Sequence, residues 1–166
     1  MRYPLTLIKP SDLCAEIGVW KGEFSQEILT QKPKELHLID PWIHQTHKWV
    51  QWAKGEAVKQ AYKEVLGKFS NINNVHIHKE NSCSVNIGED YFDWVYIDAD
   101  HSYESVKKDL QHWFRQVKNG GFLCGDDYGW SHPLTKGPKP AVDEFVKEND
   151  LNLETHGSQY VIKIEK

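Results

Sequence analysis

The most informative part of the chain is residues 13–29, LCAEIGVWKGEFSQEIL. Its beginning, LCAEI, predicts a buried strand, and Phe24 to Leu29 predicts the helix that follows. The turn between them carries Gly18 and Gly22, and glycine lets the backbone approach a ligand closely. Because Trp20 stands where a G-x-G-x-x-G motif needs its second glycine, the turn is not a nicotinamide-binding fingerprint. It is not a P-loop either. The alternative to a ligand-binding turn is an ordinary strand–turn–helix.

The rest of the chain alternates between short apolar runs and segments with helical spacing. Strands are predicted at Leu13 to Ile17, Leu36 to Ile39, Val75 to His78, Trp94 to Ile97, Phe122 to Cys124, Leu151 to Thr155 and Tyr160 to Ile164. Further helices are predicted at Trp49 to Phe69, at Ser102 to Lys118 with Gly120-Gly121 as the stop, and at Ala141 to Asn149. The pattern predicts an α/β fold: a Rossmann-like, doubly wound, mostly parallel seven-stranded sheet with an antiparallel C-terminal strand.

Composition excludes several classes of protein. The 166 residues suffice for one domain, expected to span residues 1–166, and leave no room for a separate substrate domain. A net charge of −4 disfavours a nucleic-acid partner. No run reaches the roughly 18 apolar residues of a membrane span. The three cysteines are far apart and form no CxxC motif, which favours a reducing, cytoplasmic location.

Acidic and polar side chains follow five of the predicted strands. They are Glu16, Asp40, Glu80-Asn81-Ser82, Asp98-Ala99-Asp100-His101 and Asp126-Asp127. In an open α/β sheet, ligands bind beyond the carboxyl ends of the strands. The sequence therefore predicts that these side chains share one ligand-binding edge.

Two of these acids suggest a nucleoside. An acid at the end of the second strand, Asp40, can accept hydrogen bonds from both hydroxyls of a ribose. As a single residue before Pro41 it could equally be a turn residue. Glu16, just before the first glycine, suits a cationic ligand better than a pyrophosphate. Taken together, Glu16 and Asp40 favour a nucleoside site.

A second group of acids suggests a cation. Asp98, Asp100, Asp126 and Asp127 converge, beside His101, if the fourth and fifth strands are neighbours. Two carboxylates 4 Å apart repel by about 4 kcal/mol at an effective dielectric of 20. Oxygen ligands favour Mg²⁺, with Mn²⁺ or Ca²⁺ as alternatives. The side chains could instead point into solvent and cap neighbouring turns.

At these motifs the chain resembles a known family. The run Ala15-Glu-Ile-Gly-Val-Trp-Lys-Gly-Glu-Phe-Ser25 is similar to the first motif of class I S-adenosylmethionine-dependent methyltransferases. The run Tyr96-Ile-Asp-Ala-Asp-His-Ser-Tyr-Glu-Ser-Val106 and the later Gly125-Asp-Asp-Tyr128 resemble the small-molecule O-methyltransferase branch, which includes the macrocin-type sugar enzymes. The resemblance spans roughly Leu13 to Val146. Larger members carry helices or a whole domain ahead of the first strand that help cover the substrate, so the resemblance leaves the substrate class open between sugars and other small molecules.

The resemblance implies a role for each site residue. Those implied to bind S-adenosylmethionine are Glu16 and Gly18 at its methionine end, Asp40 at the ribose, Asn81 and Ser82 near the adenine, and also Gly22 and Asp98. Those implied to hold Mg²⁺ are Asp98, Asp126 and Asp127. Asp100 and His101 both match the position of the base, and we favour His101, because its unperturbed pKa near 6.5 suits proton removal.

The expected function is S-adenosylmethionine-dependent O-methylation of a small-molecule or sugar hydroxyl, assisted by a divalent metal. A metal-independent methyltransferase and a non-catalytic nucleoside-binding module are the alternatives. The expected partners are a small-molecule acceptor and a second copy of the chain, with no nucleic acid or membrane. Some of the seven Trp residues are expected at the cleft or at a subunit contact. His37, His76 and His78 are interpreted as structural, because no second type of ligand stands at metal spacing.

Overall fold

A seven-stranded sheet with helices on both faces forms the fold. The computed structural model describes residues 2–43 and 54–166. The strands are β1 (Leu13–Ile17), β2 (Glu35–Ile39), β3 (Val75–His78), β4 (Phe92–Ile97), β5 (Val117–Gly125), β6 (Leu153–His156) and β7 (Gln159–Lys163). The helices are α1 (Glu23–Thr30), α2 (Glu56–Phe69), α3 (Tyr103–Gln116) and α4 (Pro138–Glu148), with 3₁₀ turns at Tyr3–Leu7 and Ser82–Ser84.

The strand order is β3-β2-β1-β4-β5-β7-β6. The first five of these strands are parallel to their neighbours, whereas β7 runs antiparallel to β5 and β6 antiparallel to β7. This confirms the predicted Rossmann-like sheet with an antiparallel C-terminal strand, which is β7. The order reverses between β1 and β4, and this switch point is where an open α/β sheet binds its ligand.

Alternate side chains of the central strands enter two separate cores. On one face, Cys14 and Trp94 pack with Ile28 of α1 and Val65 of α2. On the other face, residues such as Ala15 and Val95 pack against α3 and α4. Because β1 and β4 are buried on both sides, they show the continuous apolar runs typical of parallel strands.

Several predicted boundaries differ from the structure by a few residues, and two of the differences involve the long helices. Within the described residues, α2 begins at Glu56 after Gly55, whereas the predicted start at Trp49 lies outside them. Helix α3 ends at Gln116, and β5 begins at Val117, before the glycine pair expected to stop the helix. The reason is that Val117 pairs with Phe92 of β4 and is fully buried there, so the sheet captures this residue. Across residues 2–43 and 54–166, no helix has the length and apolar character needed to span a membrane.

Gly18 brings the first turn against β4. Its φ of 89° is in the left-handed region, and a Cβ added there would lie 2.1 Å from the carbonyl oxygen of Asp98. The backbone N–H of Gly18 donates to Ile39 O at 2.9 Å, and that of Asp98 donates to Ile17 O at 2.7 Å. Only glycine fits this position, which joins the carboxyl ends of β1, β2 and β4.

We expect Gly18→Ala to lower the free energy of unfolding by about 2–5 kcal/mol, because left-handed strain adds to the overlap with Asp98. The matched control is Gly157→Ala. Gly157 has a φ of 65° but no atom within 4 Å of its added Cβ, so only strain of about 1–2 kcal/mol applies. Urea unfolding measures both changes. Equal losses in the two variants would contradict the role of the close approach.

Candidate active site

A cavity of about 610 Å³ opens at the carboxyl ends of β1, β2 and β4. Its volume falls within the range of roughly 300–1,000 Å³ that small-molecule sites have. Most of the residues predicted from the sequence line it: Glu16, Gly18, Asp40, Asn81, Ser82, Asp98, Asp100 and His101. The sheet therefore brings the predicted nucleoside residues and the predicted base to one cavity.

Three predicted residues lie outside the cavity lining. Gly22 is the N-cap of α1, where an added Cβ would meet the ring of Phe69 at 2.5 Å. Its lack of a side chain therefore makes room for α2. Asp126 and Asp127 follow β5 and lie beside the cavity at the β4 end.

Glu16 is a buried acid in the cavity wall, with 2% of its surface exposed. It accepts a hydrogen bond from the Ser25 hydroxyl of α1. Burial raises the pKa of Glu16 well above its ordinary value, although the bond from Ser25 opposes this rise. A cation in the cavity would restore the charged form, because opposite charge favours ionisation.

Asp40 organises the turns around the cavity. Its Oδ2 accepts hydrogen bonds from the backbone N–H groups of Val19 and Trp20, at 3.1 and 3.0 Å. Its Oδ1 accepts one from Trp42 N at 2.7 Å. Burial raises the pKa of Asp40, and these three bonds partly offset the rise. An ionised carboxylate has room for about four hydrogen bonds, so one remains for a ligand.

Asp109 of α3 is a cavity residue that the sequence analysis did not assign to the site. Its Oδ1 accepts a hydrogen bond from Ser82 Oγ at 2.5 Å, and Ser82 Oγ accepts one from Trp113 Nε1 at 2.8 Å. Burial raises the pKa of Asp109 to about 6. The sequence signal that could have revealed Asp109 is its position next to Leu110, on the apolar face of helix α3.

His101 lies between two carboxylates. Its Nε2 is 3.3 Å from Asp98 Oδ1 and 3.4 Å from Asp127 Oδ2. Burial lowers the pKa of His101, but the hydrogen bond to Asp98 and the charges of Asp127, Asp98 and Asp100 outweigh it, so the net pKa is raised above 6.5. The side chains of Asp98, His101 and Asp127 offer ligand atoms that all lie within 4.8 Å of one another.

Asp126, predicted as a metal ligand, has other partners. Its Oδ1 accepts hydrogen bonds from the Ser158 hydroxyl at 2.6 Å and from the Asp127 backbone N–H at 2.8 Å. Its Oδ2 lies 3.2 Å from Tyr96 Oη and 3.2 Å from Arg2 Nη1. Burial would raise the pKa of Asp126, but these partners outweigh it and lower the value. The structure thus groups Asp98 and Asp127 with His101 rather than with Asp126.

Arg2 is the second functional candidate that the sequence did not reveal. Its guanidinium lies 3.2 Å from Asp126 Oδ2 and 3.6 Å from Asp98 Oδ2, and it stacks 4.3 Å from the ring centre of Phe24. It also lines the cavity. No local motif marked a residue so near the amino terminus.

Asp100, the other candidate base, lines the cavity and also contacts Ser102, the N-cap residue of α3. Its Oδ1 accepts a hydrogen bond from Ser102 N at 2.7 Å. Both candidate bases therefore lie at the cavity, Asp100 beside the start of α3 and His101 between two carboxylates.

Two tryptophans lie at the cleft, where the sequence analysis expected some of the seven. Trp20 and Trp42 line the cavity, and the indole Nε1 of Trp42 donates to Trp20 O at 2.8 Å. Trp130 lies outside the lining, with its ring centre 5.5 Å from that of His101. Trp94 and Trp113 are fully buried in the two cores, and Trp49 and Trp52 lie outside the described residues.

Comparisons with solved structures support the fold. Three solved structures have a similar fold. A Staphylococcus aureus protein assigned as a caffeoyl-CoA O-methyltransferase has a TM-score of 0.67 at 18% identity, over 99% of this chain and 84% of its own. The O-methyltransferase NovP has a TM-score of 0.63 at 20% identity, over 95% and 73%. A Streptococcus mutans protein assigned as a methyltransferase, in complex with SAH, has a TM-score of 0.63 at 13% identity, over 99% of both chains.

The sequence itself matches a family model. No curated protein is significantly similar to the chain. Residues 15–128, more than half of the chain, match the model described as methyltransferase domain. The matched segment runs from within β1 to just past β5 and contains Glu16, Asp40, His101 and Asp127. The chain therefore belongs to the methyltransferase domain family and is a class I S-adenosylmethionine-dependent methyltransferase.

Proposed function

We propose that the chain methylates a hydroxyl group of a small molecule, with S-adenosylmethionine bound in the 610 Å³ cavity and His101 as the base. The observation that carries this proposal is the convergence, at the β1–β4 switch point, of the acids at the carboxyl ends of β1, β2 and β4. The O-methyltransferase names of two solved structures with this fold support a hydroxyl acceptor.

The charges of the cavity fit a cationic cofactor. Buried Glu16 can face the positively charged methionine end, because a cation beside it stabilises the carboxylate. Asp40 keeps hydrogen-bonding capacity for a ribose hydroxyl. Asn81 and Ser82 line another part of the same cavity, where they can contact the adenine.

The chain's own groups can orient the acceptor and take its proton. His101 is held by Asp98 and Asp127, which fix its ring and stabilise the imidazolium that forms on proton transfer. A sulfonium methyl is already electrophilic, so alignment of the reacting atoms supplies much of the rate, about 7–11 kcal/mol in favourable cases. The walls of the cavity provide that alignment.

A divalent cation fits the group Asp98, His101 and Asp127, since two carboxylates and an imidazole crowd together there. Asp98 and Asp127 would hold it, and a metal ion at this place lowers the pKa of a bound hydroxyl. Asp126 as a further ligand remains a prediction.

A metal-independent enzyme is the second candidate, and Arg2 favours it. The guanidinium of Arg2 lies within 3.6 Å of both Asp98 and Asp126, so the chain itself supplies a cation to these carboxylates. In that case the base acts without help from a metal.

We expect Asp40→Ala to weaken binding of S-adenosylmethionine by about tenfold or more, because a charged hydrogen-bond acceptor is worth about 1.5–3 kcal/mol. Isothermal titration calorimetry measures the affinity. Asp40→Asn serves as a second variant that keeps the shape of the side chain. The control is Asp12→Ala, since Asp12 also accepts a backbone N–H, from Lys9 at 2.8 Å, outside the cavity. Unchanged affinity in both Asp40 variants would contradict the ribose assignment.

We expect His101→Ala to reduce methyl transfer by about 10²–10⁴-fold while leaving cofactor affinity nearly unchanged. Transfer of labelled methyl from S-adenosylmethionine to a small-molecule extract measures turnover. His132→Ala, in the neighbouring loop, is the matched control. The neutral ring is the base, so the wild-type rate should rise with pH through a pKa above 6.5. Full activity in His101→Ala would transfer the role to Asp100 or to solvent.

We expect EDTA to abolish methyl transfer and Mg²⁺ to restore it, with Asp127→Asn insensitive to both. The same labelling assay measures the effect, and calorimetry confirms that the cofactor still binds in EDTA. If the wild-type chain keeps full activity in EDTA and Arg2→Gln loses that activity, the metal-independent alternative is established.

A further inference from the structure

A second cluster of potential metal ligands lies on β2 and the edge strand β3, away from the cavity. The parallel register pairs His37 with His76 and Ile39 with His78. Side chains two residues apart on a strand share a face, so Glu35, His37, His76 and His78 lie on the same side of the sheet. None of the four lines the cavity. Glu35 begins β2, whereas the cavity lies beyond the end of that strand.

Three of these side chains are spaced as ligands of one ion. Glu35 Oε2 lies 3.5 Å from His37 Nε2 and 3.9 Å from His76 Nε2. The three ligand atoms all lie within 4.8 Å of one another. Ligands about 2.0–2.1 Å from a tetrahedral zinc ion are about 3.4 Å apart. Small side-chain rotations therefore suffice to close the group around an ion.

His37 Nε2 has no hydrogen-bond partner within the described ranges 2–43 and 54–166, although it is buried. The whole residue is only 5% exposed, and its nitrogen faces Glu35 and His76. A buried polar atom without a partner costs about 1–3 kcal/mol. A cation bound between these groups would remove that cost and the repulsion between their lone pairs.

Outer contacts hold the ligands in place. His37 Nδ1 and His78 Nε2 share a hydrogen bond of 3.0 Å, so His37 can donate through Nδ1 and keep Nε2 as a lone pair. The Tyr91 hydroxyl donates to Glu35 Oε2 at 2.7 Å. Metal-binding histidines and carboxylates are commonly oriented by such second contacts.

We propose that Glu35, His37 and His76 form a binding site for Zn²⁺, separate from the methyl-transfer cavity. Two imidazoles and one carboxylate are a ligand set that zinc accepts, and a water molecule completes four-coordination. His76 is 44% exposed, which gives the ion an entry path. Bound Zn²⁺ would fasten the edge strand β3 to β2. His37 and His76 would then bind a metal ion, whereas the sequence analysis interpreted them as structural. The strand register places a carboxylate, Glu35, beside them as the second type of ligand.

The test is calorimetric titration of Zn²⁺ into metal-free His101→Ala chain, in which the group beside the cavity keeps the carboxylates of Asp98 and Asp127 but loses its imidazole ligand. We expect one equivalent bound with a Kd of about 1 µM or tighter. His76→Ala and Glu35→Gln, each added to this chain, should weaken binding by about tenfold or more. His156→Ala is the matched control, because His156 also lies beside a carboxylate, 3.5 Å from Glu154 Oε2, and should bind as before.

Thermal unfolding gives a second measurement. Zn²⁺ should raise the melting temperature of the His101→Ala chain and of its His156→Ala control, but not of its His76→Ala variant. Absence of tight Zn²⁺ binding in His101→Ala, or equal binding in the His76→Ala, Glu35→Gln and His156→Ala variants, would overturn the site.

Discussion

The close approach of Gly18 to the backbone of Asp98 is the constraint on which the site depends. Without a side chain at Gly18, the turn after β1 can lie against the end of β4. Hydrogen bonds from Gly18 N to Ile39 O and from Asp98 N to Ile17 O then join the ends of three parallel strands. As a result, the side chains that follow these strands face one cavity.

Crowding of negative charge is the second physical theme of the molecule. The cavity and its rim hold Glu16, Asp40, Asp98, Asp100 and Asp109, and burial raises the pKa of several of them. Such an arrangement is costly when empty and favourable when a cationic cofactor is bound. Arg2 and His101 supply part of the compensating charge from the chain itself. The positive charge of the proposed cofactor would offset the negative charge that these acids bring together.

The sequence predicted much of this site because the relevant signals are local. Each apolar run marks a strand, and parallel strands deliver their next residues to one edge, so Asp40 and His101 could be placed without coordinates. Arg2 could not be placed, since its contacts with Asp98 and Asp126 span most of the chain. Val117 was assigned to a helix because its pairing with Phe92 depends on sheet register. The grouping of Glu35 with His76 depends on register too, and local patterns do not encode it.

The most direct test of the proposed site is a crystal structure of the chain grown with S-adenosylhomocysteine. We predict that the ligand occupies the cavity at the β1–β4 switch point, with its ribose hydroxyls on Asp40, its adenine beside Ser82 and its sulfur toward His101. A ligand bound elsewhere, or one in the cavity with its ribose far from Asp40, would contradict the proposed site.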